Sequence, residues 1–231
     1  KFRGDVFAFN RLTALKEFEN AEVVKIEMTQ RDAALRMLVL DLNRKLGFVS
    51  YRRPDAFYYV LANSNIPFHY NTRDAVEREA AEIMATPVPF MKPIRLDVIV
   101  VPSLVVDPAT GARIHLGEGR EGGVGSDLEF GILAEIGAVT SSTTCVTMVH
   151  PDQLVDFGGQ SMESFDVPVD VVLTPTKTYY TQTELARPKG IIWALLMESH
   201  FREVACLNHL RSRRERLLHR QKSKSGKKQH S

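Results

Sequence analysis

The run Leu96-Asp97-Val98-Ile99-Val100-Val101-Pro102-Ser103-Leu104-Val105-Val106 decides the fold. Nearly every position is apolar, and no alternation separates a dry face from a wet one. A strand of this kind is covered on both faces, as a central strand of a parallel sheet is. Outward from it, short apolar runs alternate with segments of helical spacing. Residues 23–27, 36–42 and 46–51 read as strands, rich in Val, Leu and Ile. Over residues 72–85 the positions Val76, Ala80, Ile83 and Met84 recur at helical intervals with charges between them. Ser126-Asp127-Leu128-Glu129 opens a second helix, with a capping box expected between Ser126 and Glu129. Residues 145–149 and 169–173 read as buried strands, and 191–196 as a last one. This order predicts an α/β fold: a single open, mostly parallel sheet flanked by helices.

Size and composition agree. The chain has 231 residues, of which 44% are hydrophobic and 25% charged, so it carries enough apolar material for one sizeable core. No apolar run approaches the roughly 18 residues that span a bilayer, and no membrane partner is expected. Cys145 and Cys206 lie far apart without Cys or His neighbours at metal-ligand spacing. Two thiols fit a reducing compartment better than a disulfide scaffold, although one bridge is arithmetically open. A start at Lys1 suits removal of a transit peptide, which makes the mitochondrion the expected compartment and the cytoplasm the other.

Charge is divided along the chain. From Arg211 onward nine Lys or Arg and one acid leave +8, while the preceding 210 residues carry −6. The α/β domain is expected over residues 1–200, and a basic C-terminal helix and tail over 201–231. After Met197 the pattern is helical to about Arg220. Residues 221–231 are low-complexity Lys, Ser and Gln and read as unstructured on their own. Basic tails meet nucleic acid, anionic membranes or acidic proteins.

Gly117-Glu118-Gly119-Arg120-Glu121-Gly122 spells G-x-G-x-x-G just before the helix at Ser126. Amides of a glycine turn that feeds a helix make a phosphate cradle. The match by itself is short: the third glycine precedes the helix, and no G-K-S/T follows. A surface loop is the plainer reading of this motif alone.

Several ordered stretches together resemble the 5-formyltetrahydrofolate cyclo-ligase (methenyltetrahydrofolate synthetase) family. They are Asp97-Val98-Ile99-Val100-Val101-Pro102, Gly117-Glu118-Gly119, Asp127-Leu128-Glu129, the His150-Pro151-Asp152-Gln153 region, and Phe165 through Thr174-Pro175-Thr176. Gly190-Ile191-Ile192-Trp193, Phe2-Arg3-Gly4 and Val24-Lys25-Ile26 resemble its divergent methenyltetrahydrofolate synthase domain-containing branch most. The resemblance covers roughly residues 1–200 and leaves the basic tail outside.

The resemblance implies ATP, Mg and a reduced folate as ligands: 5-formyltetrahydrofolate is phosphorylated and closed to 5,10-methenyltetrahydrofolate. It carries nucleotide binding onto Gly117, Glu118, Gly119 and Asp127, and the catalytic, magnesium-linked role onto Asp127. In the variant form of that site Glu118, Asp127 and Glu129 gather round the metal. This chain departs from the pattern. Glu118 stands at a glycine position, the tyrosine pair is missing, and Leu128 replaces an expected Arg. Leu116 replaces the branch's Lys, and residues 120–125 lengthen the loop. A carboxylate facing triphosphate repels it, and a lost charge-assisted donor costs a few kcal/mol of transition-state stabilisation. The expectation is therefore a non-catalytic member that needs no cofactor.

Other polar residues invite plainer readings. His150 reads as a capping or loop histidine, Lys177 as a solvated lysine, and Ser141 and Ser142 as loop residues without a nucleophile motif. For Asp166 and Asp170 the resemblance implies a structural or ligand-adjacent part, while composition alone gives solvent exposure.

Two functions follow. The first is an RNA-associated component or assembly factor of a large ribonucleoprotein such as the mitochondrial ribosome, with neighbouring proteins as further partners. Arg211, Arg213, Arg214, Arg216, Arg220, Lys222, Lys224, Lys227 and Lys228 would contact RNA phosphates. No aromatic residue lies among them, so binding should be nearly blind to sequence. The second is the ATP- and Mg-dependent ligase itself. A third possibility is a pocket that keeps folate or nucleotide without turning it over.

Overall fold

The computed structural model describes residues 4–51, 54, 56–114, 125–158 and 162–228, with side chains described as far as His219. In chain order the elements are α1 (Asp5–Thr13), α2 (Lys16–Glu19), β1 (Val23–Lys25), α3 (Ala33–Asp41), β2 (Lys45–Val49) and β3 (Ala56–Leu61). There follow α4 (Thr72–Ala75), α5 (Arg78–Met84), β4 (Thr86–Pro89), β5 (Val98–Val100), β6 (Val105–Val106) and β7 (Arg113–Ile114). The last are α6 (Ser126–Glu135), β8 (Thr144–Met148), β9 (Val171–Leu173), β10 (Thr178–Tyr180), α7 (Glu198–Glu203) and α8 (Cys206–Lys228).

Among the described residues eight strands form one sheet in the order β10-β9-β8-β5-β1-β2-β3-β4. The five in the middle, β9 to β2, are parallel. The edges turn back as antiparallel β10 on one side and β3 and β4 on the other. Val98, Ile99 and Val100 are all buried near the sheet centre, as their unbroken apolar character requires.

The pleat divides the core in two. Val24, Val98, Val100, Val146, Val171 and Leu173 join Leu12, Phe18, Leu35 and Val39 from α1, α2 and α3. Val23, Ile99, Cys145 and Val172 join Phe130, Leu133, Leu207 and Leu210 from α6 and α8. Alternate residues of one strand thus serve opposite helix layers. Cys145 and Cys206 are free and buried, so the single possible bridge does not form.

Several expectations are corrected. Residues 36–41 lie in helix α3 and Leu42 caps it, so 36–42 is not a strand. A continuous apolar run is ambiguous, and this helix ends at Asn43, whose left-handed φ of 58° favours termination. Arg36 is the buried anchor of that segment, donating to the carbonyls of Glu27 (2.8 Å), Thr29 (2.6 Å) and Val76 (3.0 Å). Its grip on Val76 accompanies the break of residues 72–85 into α4 and α5, with Glu77 extended between them. The run 96–106 is two strands: β5 stops before Pro102, which has no N–H to give a ladder, and β6 pairs with β7. Residues 191–196 hold a 3-10 turn (Trp193–Leu195) outside the sheet. Helix α8 continues to Lys228, so residues 221–228 are helical, as runs of Lys, Gln and Ser that extend an existing helix readily are.

Candidate functional site

Strand β2 lies on one side of β1 and β5 on the other, so the chain reverses its winding direction between β1 and β5. Ligand sites of open α/β sheets gather outside the carboxyl ends of the strands at such a point. Helix α6 begins at this edge: Arg113, whose Nη1 donates to the Pro102 carbonyl just after β5 (2.7 Å), also holds the first turn of α6.

Two groups of charged side chains meet there. Lys25 ends β1 on the α6-facing side, the same side as Val23, and is 1% exposed. Its Nζ donates to Oε2 of Glu129 at 2.5 Å, and the Tyr51 hydroxyl donates to the other oxygen of the same carboxylate. Burial works against the lysine charge, but the charges of Glu129 and Glu27 outweigh it, and the net effect holds Lys25 above its ordinary pKa. Burial pushes the Glu27 carboxyl up, with the Lys25 charge opposing. Burial and then the Glu129 charge push the Tyr51 phenol far up, so it remains a donor. Glu129 therefore spends its carboxylate across the sheet and forms no capping box with Ser126; the N-cap of α6 is Gly125.

The second group is Arg113 with Asp127. Arg113 donates Nε to the Val167 carbonyl (2.7 Å) and Nη2 to Ser126 Oγ (3.3 Å) and Asp127 Oδ1. The same Asp127 oxygen accepts the Val167 amide at 3.2 Å. Both side chains are almost completely buried. A carboxylate already neutralised by a buried guanidinium is poorly placed to ligate magnesium. Among the described residues, moreover, no three His, Cys, Asp or Glu side chains gather as a metal-holding group. The residues described thus do not fit the magnesium role placed on Asp127, and Glu129 is tied to Lys25 rather than turned toward Asp127.

Two cavities border this edge. One, of about 60 Å³, lies at the switch point between Asp5, Glu27, Asp32, Ser103 and Gln153. That is well below the roughly 300 Å³ of small-molecule pockets. The other, of about 370 Å³, is walled by α6 (Asp127, Leu128, Gly131) and by the 188–200 segment (Ile191, Leu196, His200).

The remaining expected residues are dispersed. Gly117, Glu118 and Gly119 lie outside the described residues. Asp166 lines the larger cavity, whereas Asp170 sits at the amino end of β9, accepting from the Cys145 amide (2.8 Å) and pairing with Arg187 (2.6 Å). His150 accepts from the Asp152 amide through Nδ1 (3.3 Å) and caps a 3-10 turn. Lys177 packs its ammonium over the Tyr179 ring (4.5 Å). Ser141 and Ser142 stand before β8, at the opposite sheet edge.

On α8, Arg211 lies over Phe201 (4.4 Å) and Arg214 over Trp193 (5.5 Å); Arg213 is half-buried and Arg216 exposed. The side chains of Arg220, Lys222, Lys224, Lys227 and Lys228 lie outside the described set, although the helix backbone passes through all five positions.

Sequence reasoning missed Lys25, Glu27, Tyr51 and Arg113 as members of the charged edge. One signal was available: a lone cation inside an apolar run, as in Val24-Lys25-Ile26 and Ala112-Arg113-Ile114, is buried only with a partner.

Comparison with known proteins follows the same lines. The chain is 27% identical over 215 residues to a methenyltetrahydrofolate synthase domain-containing protein of Danio rerio, covering 91% of this chain and 54% of that protein. It is 28% identical over 218 residues to the Homo sapiens protein of the same name, covering 93% and 54%. The chain thus spans about half the length of the curated relatives it matches. The NMR structure of Aquifex aeolicus 5,10-methenyltetrahydrofolate synthetase superposes with a TM-score of 0.49 at 17% identity, covering 80% of this chain and 84% of that one. The family model of the 5-formyltetrahydrofolate cyclo-ligases matches residues 1–175, and the chain belongs to that family.

Proposed function

We propose that this chain is a divergent, non-catalytic cyclo-ligase-fold protein that serves as an RNA-associated component or assembly factor of a large ribonucleoprotein. The observation that carries this reading is α8. Cys206, Leu207 and Leu210 anchor its start in the core, and from Arg211 onward every described side chain but the half-buried Arg213 is exposed. A helix whose charge is +8 from residue 211 on, attached to a body of −6, is an electrostatic handle for phosphates. The engagement of Asp127 with Arg113 supports the non-catalytic half of the proposal. The particle this reading favours is the mitochondrial ribosome or its precursor, with the cytoplasm as the other compartment.

The test is sedimentation of the native protein from cell extract before and after RNase. Migration with large complexes that is abolished by RNase is the expected result. A free, slowly sedimenting species in untreated extract overturns the proposal.

The position of Glu27, Lys25 and the α6 N-terminus at the switch point favours a second reading, in which the family's ATP- and Mg-dependent reaction on a reduced folate persists. Consumption of ATP that depends on 5-formyltetrahydrofolate is its measure.

A further inference from the structure

Building on the RNA-associated reading, we infer that the partner of α8 is base-paired RNA, held through its phosphates along one basic stripe of the helix. The anchoring of α8 decides which side faces outward. Leu207 and Leu210 enter the core, and Arg211 and Arg214 settle on the rings of Phe201 and Trp193. Cation–π contacts of this kind hold a guanidinium in place while leaving its edge in water. These four positions share one side of the helix at intervals of three and four residues.

Arg213 and Arg216 belong to a different side. From Arg213 the sequence sets further cations at Arg216, Arg220, Lys224 and Lys227, steps of three, four, four and three residues. At 3.6 residues per turn these five positions fall within an arc of about 80°. The helix backbone thus sets these five positions in one row, and the seating of Leu207, Leu210, Arg211 and Arg214 fixes which way that row faces.

Such a row suits phosphates that are themselves fixed in space. Residues 206–228 contain no Phe, Tyr or Trp; of the rings that the described part of the helix meets, Phe90 beside His209 is buried, and Phe201 and Trp193 lie under Arg211 and Arg214. Single-stranded sites draw much of their affinity from bases stacked on open aromatic faces, which α8 does not offer. A duplex keeps its bases inward and presents regular phosphates. The A-form major groove is too narrow for side chains to read, so recognition is by shape and backbone rather than by sequence. Leu217 and Leu218, 48% and 44% exposed, raise a membrane surface as the competing partner. The preceding leucines of that stripe are committed to the core, which leaves little apolar area to insert.

The experiment titrates the full chain against a labelled short RNA duplex, an oligouridine of equal nucleotide count, and phosphatidylserine-containing vesicles, at low and physiological salt. Trp193 emission is followed in parallel. The expected result is duplex binding at least several-fold tighter than oligouridine, with Trp193 emission unchanged because Arg214 stays on its ring. The Arg213→Ala, Arg216→Ala pair should weaken duplex binding and lower the salt slope by about 2. Equal binding of oligouridine overturns the base-paired partner and leaves the RNA reading standing. A large Trp193 change on binding, or a double variant that binds duplex normally, overturns the fixed stripe. Vesicle binding without RNA binding, or no RNA binding even at low salt, overturns the RNA reading itself.

Discussion

Lys25 and Glu129 lie 104 positions apart and meet as a buried ion pair, with the ammonium 2.5 Å from the carboxylate at the sheet's switch point. This pair joins β1 to the first turn of α6, and the Tyr51 hydroxyl completes the carboxylate's shell. Removing one member of a buried pair strands the other charge, which costs about 3–5 kcal/mol. Lys25→Met should therefore lower stability by that order in urea unfolding, while Lys25→Met combined with Glu129→Leu should recover most of it. The folded-state pKa of Lys25 is raised above 10.5, so its stabilisation is complete below that pH and is lost as pH climbs through the folded value. The single variant should accordingly lose this alkaline decline.

Glu27 has the opposite character. Its carboxyl pKa is raised above 4.5 in the folded protein, so the folded state holds the proton more tightly than the unfolded chain. Its contribution to stability falls as pH rises from 4.5 through the folded value and stays low at neutrality. Glu27→Gln should raise the unfolding midpoint at pH 7 and leave it unchanged near pH 4, read from denaturant melts at the two values.

Asp127 is predicted to matter for folding more than for metal. Asp127→Ala leaves the Arg113 guanidinium buried without its carboxylate and should cost about 3–5 kcal/mol. Addition of Mg²⁺ should not shift the melting temperature of the unaltered protein. A clear rise with Mg²⁺ that Asp127→Asn abolishes would instead make this carboxylate a metal ligand.

Gly111 turns the chain between Asp107 and β7 with φ at +77°, and a Cβ there would lie 2.1 Å from the Val169 carbonyl oxygen. Backbone cannot yield as a side-chain tip can. Gly111→Ala should destabilise by about 2–4 kcal/mol, from strain and clash together, measurable by calorimetry.

A chain ended after Leu210 keeps every residue of α8 that is buried among the described ones. Its stability should fall by about 1 kcal/mol or less, the scale of the lost cation–π contacts. Trp193 emission should shift as Arg214 leaves the ring, and the RNA binding proposed for α8 should be absent.

The central strands were readable from the sequence because burial on both faces leaves an unmistakable apolar run at Val98, Ile99 and Val100. Helix α3 was not, since Leu35, Val39 and Leu40 lie in a run of the same apolar density and only the left-handed turn at Asn43 separates helix from strand. The site was harder still. Asp127 and Glu129 stood out as carboxylates beside a glycine loop, but their partners Arg113 and Lys25 come from β7 and β1, and no local spacing encodes such a meeting. The basic helix was legible as charge; the perches that aim it, Trp193 and Phe201, became visible only when residues 188–203 were placed.

The burial boundary at Leu210 has a mechanical consequence. Eighteen residues of helix, Arg211 to Lys228, rise about 27 Å at 1.5 Å each, comparable to the width of a small domain. On the RNA-associated reading, phosphate contacts would be spread along that length instead of crowded at one point of the surface. The helix proposed to meet phosphates and the charged edge at the switch point are thus built on different elements, α8 on one hand and β1 with α6 on the other.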